Sequence, residues 1–194
     1  MDLGRLLLRC TVGGTFFVHG TQKLFGWFGG GGLDQAAEEF ESFGLRPGRR
    51  NAYAAGSTEV GCGILLALGL AAALTAAGVS GVMITALRTA TWKDGFKPTT
   101  GQHQVLLAVA ALALVETGPG TPSLDATLGL ERTGEAWMLA ALGAGAAGSA
   151  AVIALGRREP AGLRRPTSAD APSAEPPPSH ARRLGDGRRQ REAQ

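Results

Sequence analysis

Long apolar runs separated by short polar or glycine-rich links are the main pattern along the chain from Leu3 to Leu155. A helix needs roughly 20 mostly apolar residues to cross the hydrocarbon core of a bilayer. Five runs approach this length and predict membrane-spanning helices near residues 3–28, 52–70, 72–91, 102–118 and 137–155. These runs lack the polar face that repeats every 3.6 residues in soluble bundles, so a soluble bundle is the weaker alternative.

Aromatic and small residues support these helices. Four aromatic residues stand at predicted helix ends, where amphipathic rings favour the headgroup region of a bilayer: Trp27, Tyr53, Trp92 and Trp137. The fifth run is rich in small residues, which allow membrane helices to approach closely: Ala140, Gly143, Ala144, Ala147, Gly148 and Ala151. The pattern therefore predicts an all-α, membrane-embedded up-down helical bundle.

Residues 33–45 have the pattern of a short amphipathic helix. Its apolar face repeats at helical spacing and consists of Leu33, Ala36, Ala37 and Phe40. Three glutamates occupy the other side, namely Glu38, Glu39 and Glu41. Asp34 is the predicted N-cap, and Gly44 with Pro47 ends the helix. We expect this helix to lie along the membrane interface or to cover one end of the bundle.

Basic residues are unevenly distributed among the connections between the apolar runs. The first connection contains Arg46, Arg49 and Arg50, the third contains Lys93 and Lys97, and the second has no Lys or Arg. Because basic connections face the cytoplasm, five helices with an external N-terminus and a cytoplasmic C-terminus fit the charges. A four-helix chain is the alternative, but it would place the basic tail on the same side as the uncharged connection.

The last segment, residues 157–194, differs from everything before it. It contains nine arginines and Pro176-Pro177-Pro178, with hardly any large apolar residue. Such a segment cannot bury enough surface to offset its ordering entropy, so it is predicted to be disordered. Because aromatic residues are not interleaved with the arginines, contact with anionic lipid is favoured and no nucleic-acid binding is expected.

The two cysteines, Cys10 and Cys62, stand far apart in apolar sequence. They form neither a disulfide framework nor a metal-binding CxxC pair, and we expect both to be buried thiols that pack as small hydrophobic groups. The sequence also contains no CxxCH motif and no glycine-rich dinucleotide fingerprint. No bound redox cofactor is therefore indicated, and no catalytic residue can be assigned.

Ionisable residues within the apolar runs are the candidates for function, since charges are costly inside a membrane. His19 and Lys23 are four residues apart and share one face of the first helix. Glu59 lies in the second helix, which runs back from the first connection. Lys23 and Glu59 are then at similar depth, so an ion pair between them is predicted.

Two further residues extend this group. Arg88 closes the third predicted helix and His103 opens the fourth, and these ends meet on the same side of an up-down bundle. The candidates for a polar pocket are therefore His19, Lys23, Glu59, Arg88 and His103.

Two interpretations of this group remain open. The charges either fix helix register, or they form a pocket for a quinone, a thiol compound or a proton path. Metal ligation by His19 and His103 is a weaker hypothesis, because no third ligand stands at matched spacing. At the opposite side, Glu116 is expected to pair with Arg5 or Arg9.

Three motifs resemble the DoxX family of small bacterial membrane proteins. They are the run His-Gly-Thr-Gln-Lys-Leu-Phe-Gly-Trp-Phe-Gly-Gly at residues 19–30, Phe43-Gly44-Leu45-Arg46-Pro47, and Ala-Gly-Ser-Thr-Glu-Val-Gly at residues 55–61. The resemblance covers roughly residues 3–118 and implies a four-helix membrane core. It divides the chain into a DoxX-like domain (1–120), a linker with a fifth transmembrane helix (121–156), and the basic tail (157–194).

The resemblance also implies a functional class. DoxX-like subunits occur in thiosulfate:quinone oxidoreductases, and related proteins associate with redox and detoxification partners. It implies a membrane subunit of a quinone- or thiol-linked redox system in the bacterial cell membrane, with a quinone as a possible ligand and an oligomer as a possible assembly. His19, Lys23 and Glu59 match the family motifs as a shared polar core. The alternative is a non-catalytic anchor or scaffold that recruits soluble partners through its interfacial helix and basic tail.

Overall fold

Residues 2–91 and 98–158 are described by a computed structural model, and every regular element in these two ranges is helical. The α-helices are α1 (Leu3–Phe25), α2 (Gly32–Ser42), α3 (Gly48–Leu68), α4 (Ala72–Ala86), α5 (Pro98–Thr117), α6 (Leu124–Leu128) and α7 (Glu135–Arg158). A 3-10 turn, Trp27–Gly29, follows α1, and a π-helical turn, Leu87–Thr91, continues α4. The predicted all-α class is confirmed for this part of the chain.

The boundaries differ from the predicted ones where glycine and proline act locally. Helix α1 ends at Phe25 because Gly26 adopts a left-handed conformation (φ 73°) and its N–H bonds back to Gln22. Helix α3 begins at Gly48, directly after the extended Pro47. Helix α7 reaches Arg158, so it includes the first two residues of the segment predicted as a tail. The remainder of that segment, residues 159–194, lies outside the described residues, as do Trp92, Lys93 and Lys97.

Two pairs of glycines bring α1 and α3 into backbone contact. A Cβ placed on Gly63 would lie 2.6 Å from the Gly13 carbonyl oxygen and 2.6 Å from the Phe17 nitrogen. A Cβ on Gly20 would lie 2.7 Å from the carbonyl oxygen of Gly56. Such distances are shorter than any real side chain tolerates, so the close approach of the two helices depends on the missing Cβ atoms.

The remaining long helices pack around this pair. Helix α3 contacts α4, α4 contacts α5, and α5 returns to α1, while α7 packs against α4 and α5. The buried apolar side chains at the centre come from α1, α3, α4, α5 and α7, and include Phe16, Leu66, Val79 and Leu114. All of these helices belong to one unit, Met1–Glu159.

Helix α7 uses a different face from the predicted stripe of small residues. Its buried positions recur every fourth residue, at Ala141, Gly145, Ser149 and Ile153. A Cβ on Gly145 would lie 2.7 Å from the Ala77 carbonyl oxygen, and Thr85 Oγ1 and Ser149 Oγ are 2.9 Å apart. The predicted stripe is exposed, so that prediction was wrong. An Ala- and Gly-rich helix offers several faces of small residues, and the partner helix selects among them.

Helix α2 has the predicted amphipathic character, with Ala36 buried and Glu38 exposed. Its N-cap is Gly31, whereas Asp34 stands in the first turn and pairs with Arg49 of α3, so the N-cap prediction was wrong. The carboxylate of Glu41 accepts a hydrogen bond from the Gly48 N–H at 3.2 Å, at the start of α3. These contacts hold α2 across the end of the bundle where α1 finishes and α3 begins.

At the opposite end, the two arginines of α1 have partners in Asp2 and in the loop after α5. Arg5 pairs with Asp2 at 3.0 Å, and Arg9, which is 1% exposed, donates to the Pro122 carbonyl oxygen at 2.6 Å. Glu116 is exposed, so the predicted pair between Glu116 and an arginine was wrong. Backbone carbonyl oxygens compete with carboxylates for guanidinium donors, and a sequence pattern does not reveal which of them lies nearby.

Two other details of this end were not predicted. Short helix α6 carries Asp125, whose buried carboxylate accepts hydrogen bonds from the N–H groups of Ala71 (2.9 Å) and Ala72 (3.1 Å) at the start of α4. The Thr121 N–H donates to Asp2, and this bond, together with the nearby Arg5, lowers the pKa of the Asp2 carboxyl. Cys62 is buried as predicted, but Cys10 is exposed, which corrects the expectation of two buried thiols.

Two of the described helices are long and apolar enough to cross a membrane, over Ala72–Thr89 and Glu135–Arg157. Large apolar side chains also remain exposed on other helices, including Leu7 (59%) on α1 and Leu106 (67%) on α5. Leu139 on α7 is 54% exposed. Extensive exposed apolar surface indicates contact with lipid or with another apolar partner.

Candidate functional site

One cavity of about 770 Å³ extends from the end of the bundle covered by α2 along α4, and we call it the main cavity. Residues of α1, α2, α3, α4, α5 and α7 line it. Its polar end contains His19, Lys23, Asn51, Glu59, Thr89 and His103. Four of the five residues that the sequence singles out are thus brought together at one place.

The ion pair that helix direction predicts lies at this polar end. Lys23 Nζ of α1 is 2.5 Å from Glu59 Oε1 of α3. The Glu59 side chain is 1% exposed, whereas 28% of the Lys23 side chain is exposed. The pair is asymmetric, because the carboxylate is fixed in the interior and the ammonium reaches it from the edge of the cavity. The glycines beside Glu59 permit this geometry, since they bring α1 and α3 together.

The second carboxylate oxygen of Glu59 takes no part in the ion pair with Lys23. Oε2 is buried and has no hydrogen-bond partner in the described part of the chain. A buried carboxylate oxygen without a partner is costly, so such an atom calls for an explanation. In a residue that lines a cavity, it is the atom to which a ligand donor or a proton could bind.

Two imidazole rings also line the polar end of the main cavity. The ring centroids of His19 in α1 and His103 in α5 are 5.9 Å apart, with planes tilted by 56°. Histidine changes protonation near neutral pH, so two adjacent rings can pass a proton between them. Within the described residues, no third His, Cys, Asp or Glu joins them in a metal-binding group.

Arg88 is placed differently from the other four candidates. It lies in the π-helical turn that follows α4, its side chain is exposed, and it is not among the described residues that line the main cavity. A π-turn adds one residue per turn and rotates the positions that follow it. Because the sequence carries no clear signal for such a turn, the face on which Arg88 emerges was not predictable.

The main cavity also includes polar residues that the sequence analysis did not select. Asn51, Cys62 and Gln104 are among them. Cys62 follows Glu59 by three residues and therefore shares its helical face, and Gln104 is adjacent to His103. Helical spacing from Glu59 would have found Cys62, whereas no spacing rule selects Gln104, because adjacent helical residues point in different directions.

Part of the chain matches a known protein family. The sequence model of the DoxX family matches residues 4–92. This segment, a little under half of the chain, is therefore similar to the DoxX family. No curated protein and no solved structure matches the chain. The DoxX match contains His19, Lys23 and Glu59 and ends before α5, so it is shorter than the resemblance over residues 3–118.

The DoxX match and the exposed apolar helices together indicate a membrane protein in contact with lipid. The DoxX segment contributes α1 to α4 to the main cavity. His103 of α5 and the α7 wall come from the part of the chain that follows this segment. The cavity is therefore built jointly by the DoxX segment and by the residues that follow it.

Proposed function

We propose that this chain is a membrane subunit of a quinone- or thiol-linked redox system, and that the main cavity binds the small partner of the reaction. The observation that carries the proposal is the uncommitted Oε2 of Glu59, which is buried in a residue that lines a 770 Å³ cavity. Ligand pockets of this size are typical of sites for small organic molecules. A pair that served helix register alone would have no need of such a cavity.

The residues of the polar end have distinct roles in this proposal. The Lys23 ammonium stabilises the Glu59 carboxylate through their ion pair. The other carboxylate oxygen, Oε2, hydrogen-bonds the bound partner or exchanges a proton with it. His19 and His103 connect this site to the exposed end of the cavity, where His103 is exposed and can exchange protons with water. Electrons are exchanged with a redox partner subunit, and the chain supplies binding and proton transfer.

The membrane arrangement is part of the same proposal. Helices α1, α3, α4, α5 and α7 are taken as five spans, with a four-helix core to which α7 is added. The N-terminus is outside and the C-terminus is cytoplasmic in the bacterial cell membrane. Its support is the Arg46 N–H, which donates to the Gly156 carbonyl oxygen at 2.9 Å. The end of α7 therefore lies beside the basic α2–α3 connection, so both belong to the same side.

We expect an alkaline phosphatase domain fused after Arg158 to be inactive and a fluorescent protein fused there to fluoresce. The reason is that the end of α7 and the basic α2–α3 connection are both proposed to face the cytoplasm. The matched control is the same phosphatase fused after Gly129, in the loop between α6 and α7, where activity is expected. Phosphatase activity after Arg158 with none after Gly129 would show that the bundle is inverted.

The redox role predicts that a carboxylate-to-amide change at the polar end strongly lowers the rate of quinone reduction without lowering protein abundance. In the affinity-purified complex, Glu59→Gln should lower the rate of quinone reduction about 100-fold, since positioned proton transfer contributes a factor of this order. Glu116→Gln removes an exposed carboxylate at the other end and should leave the rate unchanged. The measurement is quinone reduction by material recovered through an affinity tag, with protein abundance determined in parallel.

The scaffold alternative gives the opposite result in the same experiment. A scaffold would retain its co-purified partners with Glu59→Gln and lose them when residues 159–194 are removed. A redox subunit should tolerate that removal and lose activity with the Glu59 change. If the recovered material contains no partner and reduces no quinone, both functions are ruled out, and transport of a small solute becomes the next hypothesis.

A further inference from the structure

A second cavity, of about 490 Å³, lies at the end of the bundle opposite α2, between the first turns of α4 and α7. We call it the α4–α7 groove. Along α7 it extends from Trp137 to Ala144, which corresponds to about 10 Å at the helical rise. Its described lining includes neither Glu59 nor the two histidines, so it is separate from the polar end of the main cavity.

Small apolar side chains form the two walls of the groove. They are Ala72, Ala73 and Ala77 of α4, and Ala140, Ala141 and Ala144 of α7. The groove is open at its side, where Leu74 is 69% exposed. In a membrane-embedded bundle this surface meets hydrocarbon, and an apolar space of this kind does not hold water. A hydrocarbon chain of the bilayer is therefore the occupant that fits the walls.

The mouth of the groove has a different chemistry. Arg132 and Trp137 both line it, and the guanidinium carbon of Arg132 lies 4.8 Å from the centre of the Trp137 ring. Tryptophan rings favour the headgroup level of a bilayer. Among the described residues no carboxylate forms an ion pair with Arg132, and the ring contact uses none of its N–H groups as donors to oxygen. A guanidinium in this state can bind two phosphate oxygens at once.

The carboxylates around the mouth restrict the kind of headgroup. Asp125 also lines the groove, but its carboxylate accepts the N–H groups of Ala71 and Ala72, so the start of α4 compensates its charge. Glu131 precedes Arg132 in the chain, Glu135 follows it by three residues, and both are exposed. These two carboxylates disfavour a headgroup with a net negative charge and attract an ammonium group.

We infer that the α4–α7 groove binds a zwitterionic phospholipid of the phosphatidylethanolamine class. The phosphate lies against Arg132, the ammonium group lies toward the flanking glutamates, and one acyl chain lies between α4 and α7. The apolar walls support the position of the chain, and the Arg132–Trp137 pair independently supports the position of the phosphate. This lipid is distinct from the redox partner proposed for the main cavity, and the inference does not rest on that function.

The chain offers matched substitutions for both parts of the lipid. Ala140 lines only the groove, whereas Ala147, two turns further along α7, lines neither cavity. Ala140→Leu should therefore fill the groove, and Ala147→Leu is its control. Arg132→Gln removes the guanidinium, and Arg157→Gln does the same at the other end of α7. All four side chains are exposed, so these changes should leave the fold intact.

Binding is measured by native mass spectrometry on the full chain, delipidated in detergent and titrated with three lipids that have identical oleoyl chains. They are dioleoyl-phosphatidylethanolamine, dioleoyl-phosphatidylglycerol and dioleoylglycerol, which has no phosphate. A single phosphatidylethanolamine molecule should bind saturably, more tightly than phosphatidylglycerol and about tenfold more tightly than dioleoylglycerol.

The variants should separate the headgroup from the chain. Arg132→Gln should weaken phosphatidylethanolamine binding about tenfold, to the level of dioleoylglycerol, because a hydrogen bond to a charged group is lost. Ala140→Leu should weaken all three lipids about equally, because they share the same chains. Arg157→Gln and Ala147→Leu should bind phosphatidylethanolamine as the wild type does.

Four results would overturn the inference. They are dioleoylglycerol binding as tightly as phosphatidylethanolamine, phosphatidylglycerol binding as tightly or more tightly, an Ala140→Leu affinity equal to that of Ala147→Leu, and an Arg132→Gln affinity equal to that of Arg157→Gln. Glu59→Gln should leave this lipid binding unchanged, since Glu59 belongs to the main cavity. A failure of the lipid site and a failure of the redox function are thus observed in different variants.

Discussion

Replacing Glu59 by Ala is expected to lower the free energy of unfolding by about 3 kcal/mol. Removing one partner of a buried ion pair leaves an uncompensated charge, which typically costs about 3–5 kcal/mol. The lower end of this range applies because 28% of the Lys23 side chain is exposed and its ammonium can turn toward water. The measurement is a denaturant or thermal unfolding curve of the purified protein in detergent.

A double-mutant cycle separates the ion pair from the loss of side-chain volume. Lys23→Met with Glu59→Leu removes both charges and retains apolar bulk, and pairs replaced in this way are often neutral or more stable. We therefore expect the double variant to be more stable than Glu59→Leu alone, which with Lys23→Met alone completes the cycle. If the effects at Lys23 and Glu59 simply add, the two residues do not interact, and the pair contributes nothing to the fold.

The double variant also links stability to function. It should fold and yet fail to support quinone reduction, because it lacks the Glu59 oxygen to which the ligand is proposed to bind. A protein that is both stable and inactive would show that the ion pair is needed for the function of the site and not for folding. A stable protein with full activity would indicate that the charges serve helix register alone.

The second large effect is expected at the contact between α1 and α3. Gly63→Ala places a Cβ 2.6 Å from both the Gly13 carbonyl oxygen and the Phe17 nitrogen. Both are backbone atoms, so the helices must separate instead of a side chain moving aside. Overpacking of this kind costs about 1–3 kcal/mol and occasionally more, and we expect the upper end, about 3 kcal/mol.

Gly61→Ala is the control, since it lies two residues away on the same helix and its added Cβ meets no atom within 4 Å. Alanine favours helix over glycine by up to about 1 kcal/mol, so this variant should be as stable as the wild type or more stable. The readout is the unfolding midpoint together with the amount of folded protein in membranes. Equal stability of Gly63→Ala and Gly61→Ala would contradict the close contact of α1 and α3.

Much of the local structure could be predicted from the sequence. Apolar run length located the long helices, and the spacing of Leu33, Ala36 and Phe40 located the amphipathic α2. The Lys23–Glu59 pair could be predicted as well, because two consecutive antiparallel helices place residues at similar distances from their connection at similar depth. These properties depend on residues that are near one another in the chain.

Other features were decided by tertiary contacts. Helix α7 has several faces of small residues, and Gly145 is buried only because Ala77 of α4 meets it there. Arg9 donates to Pro122, and not to Glu116, because the loop after α5 folds back over the start of α1. Arg88 is turned outward at a π-helical turn.

The main cavity illustrates the same division. Its charged residues could be predicted, since a charge in an apolar run is conspicuous and is functional or paired by default. Its space between α3, α4 and α7 could not be predicted, because it depends on how the three helices pack and not on residue type. Sequence by itself determined which segments are helical and which charges they carry into the interior. Only the tertiary structure decided where the helices leave room, because a cavity depends on how distant surfaces fit together and not on the residues of any one of them.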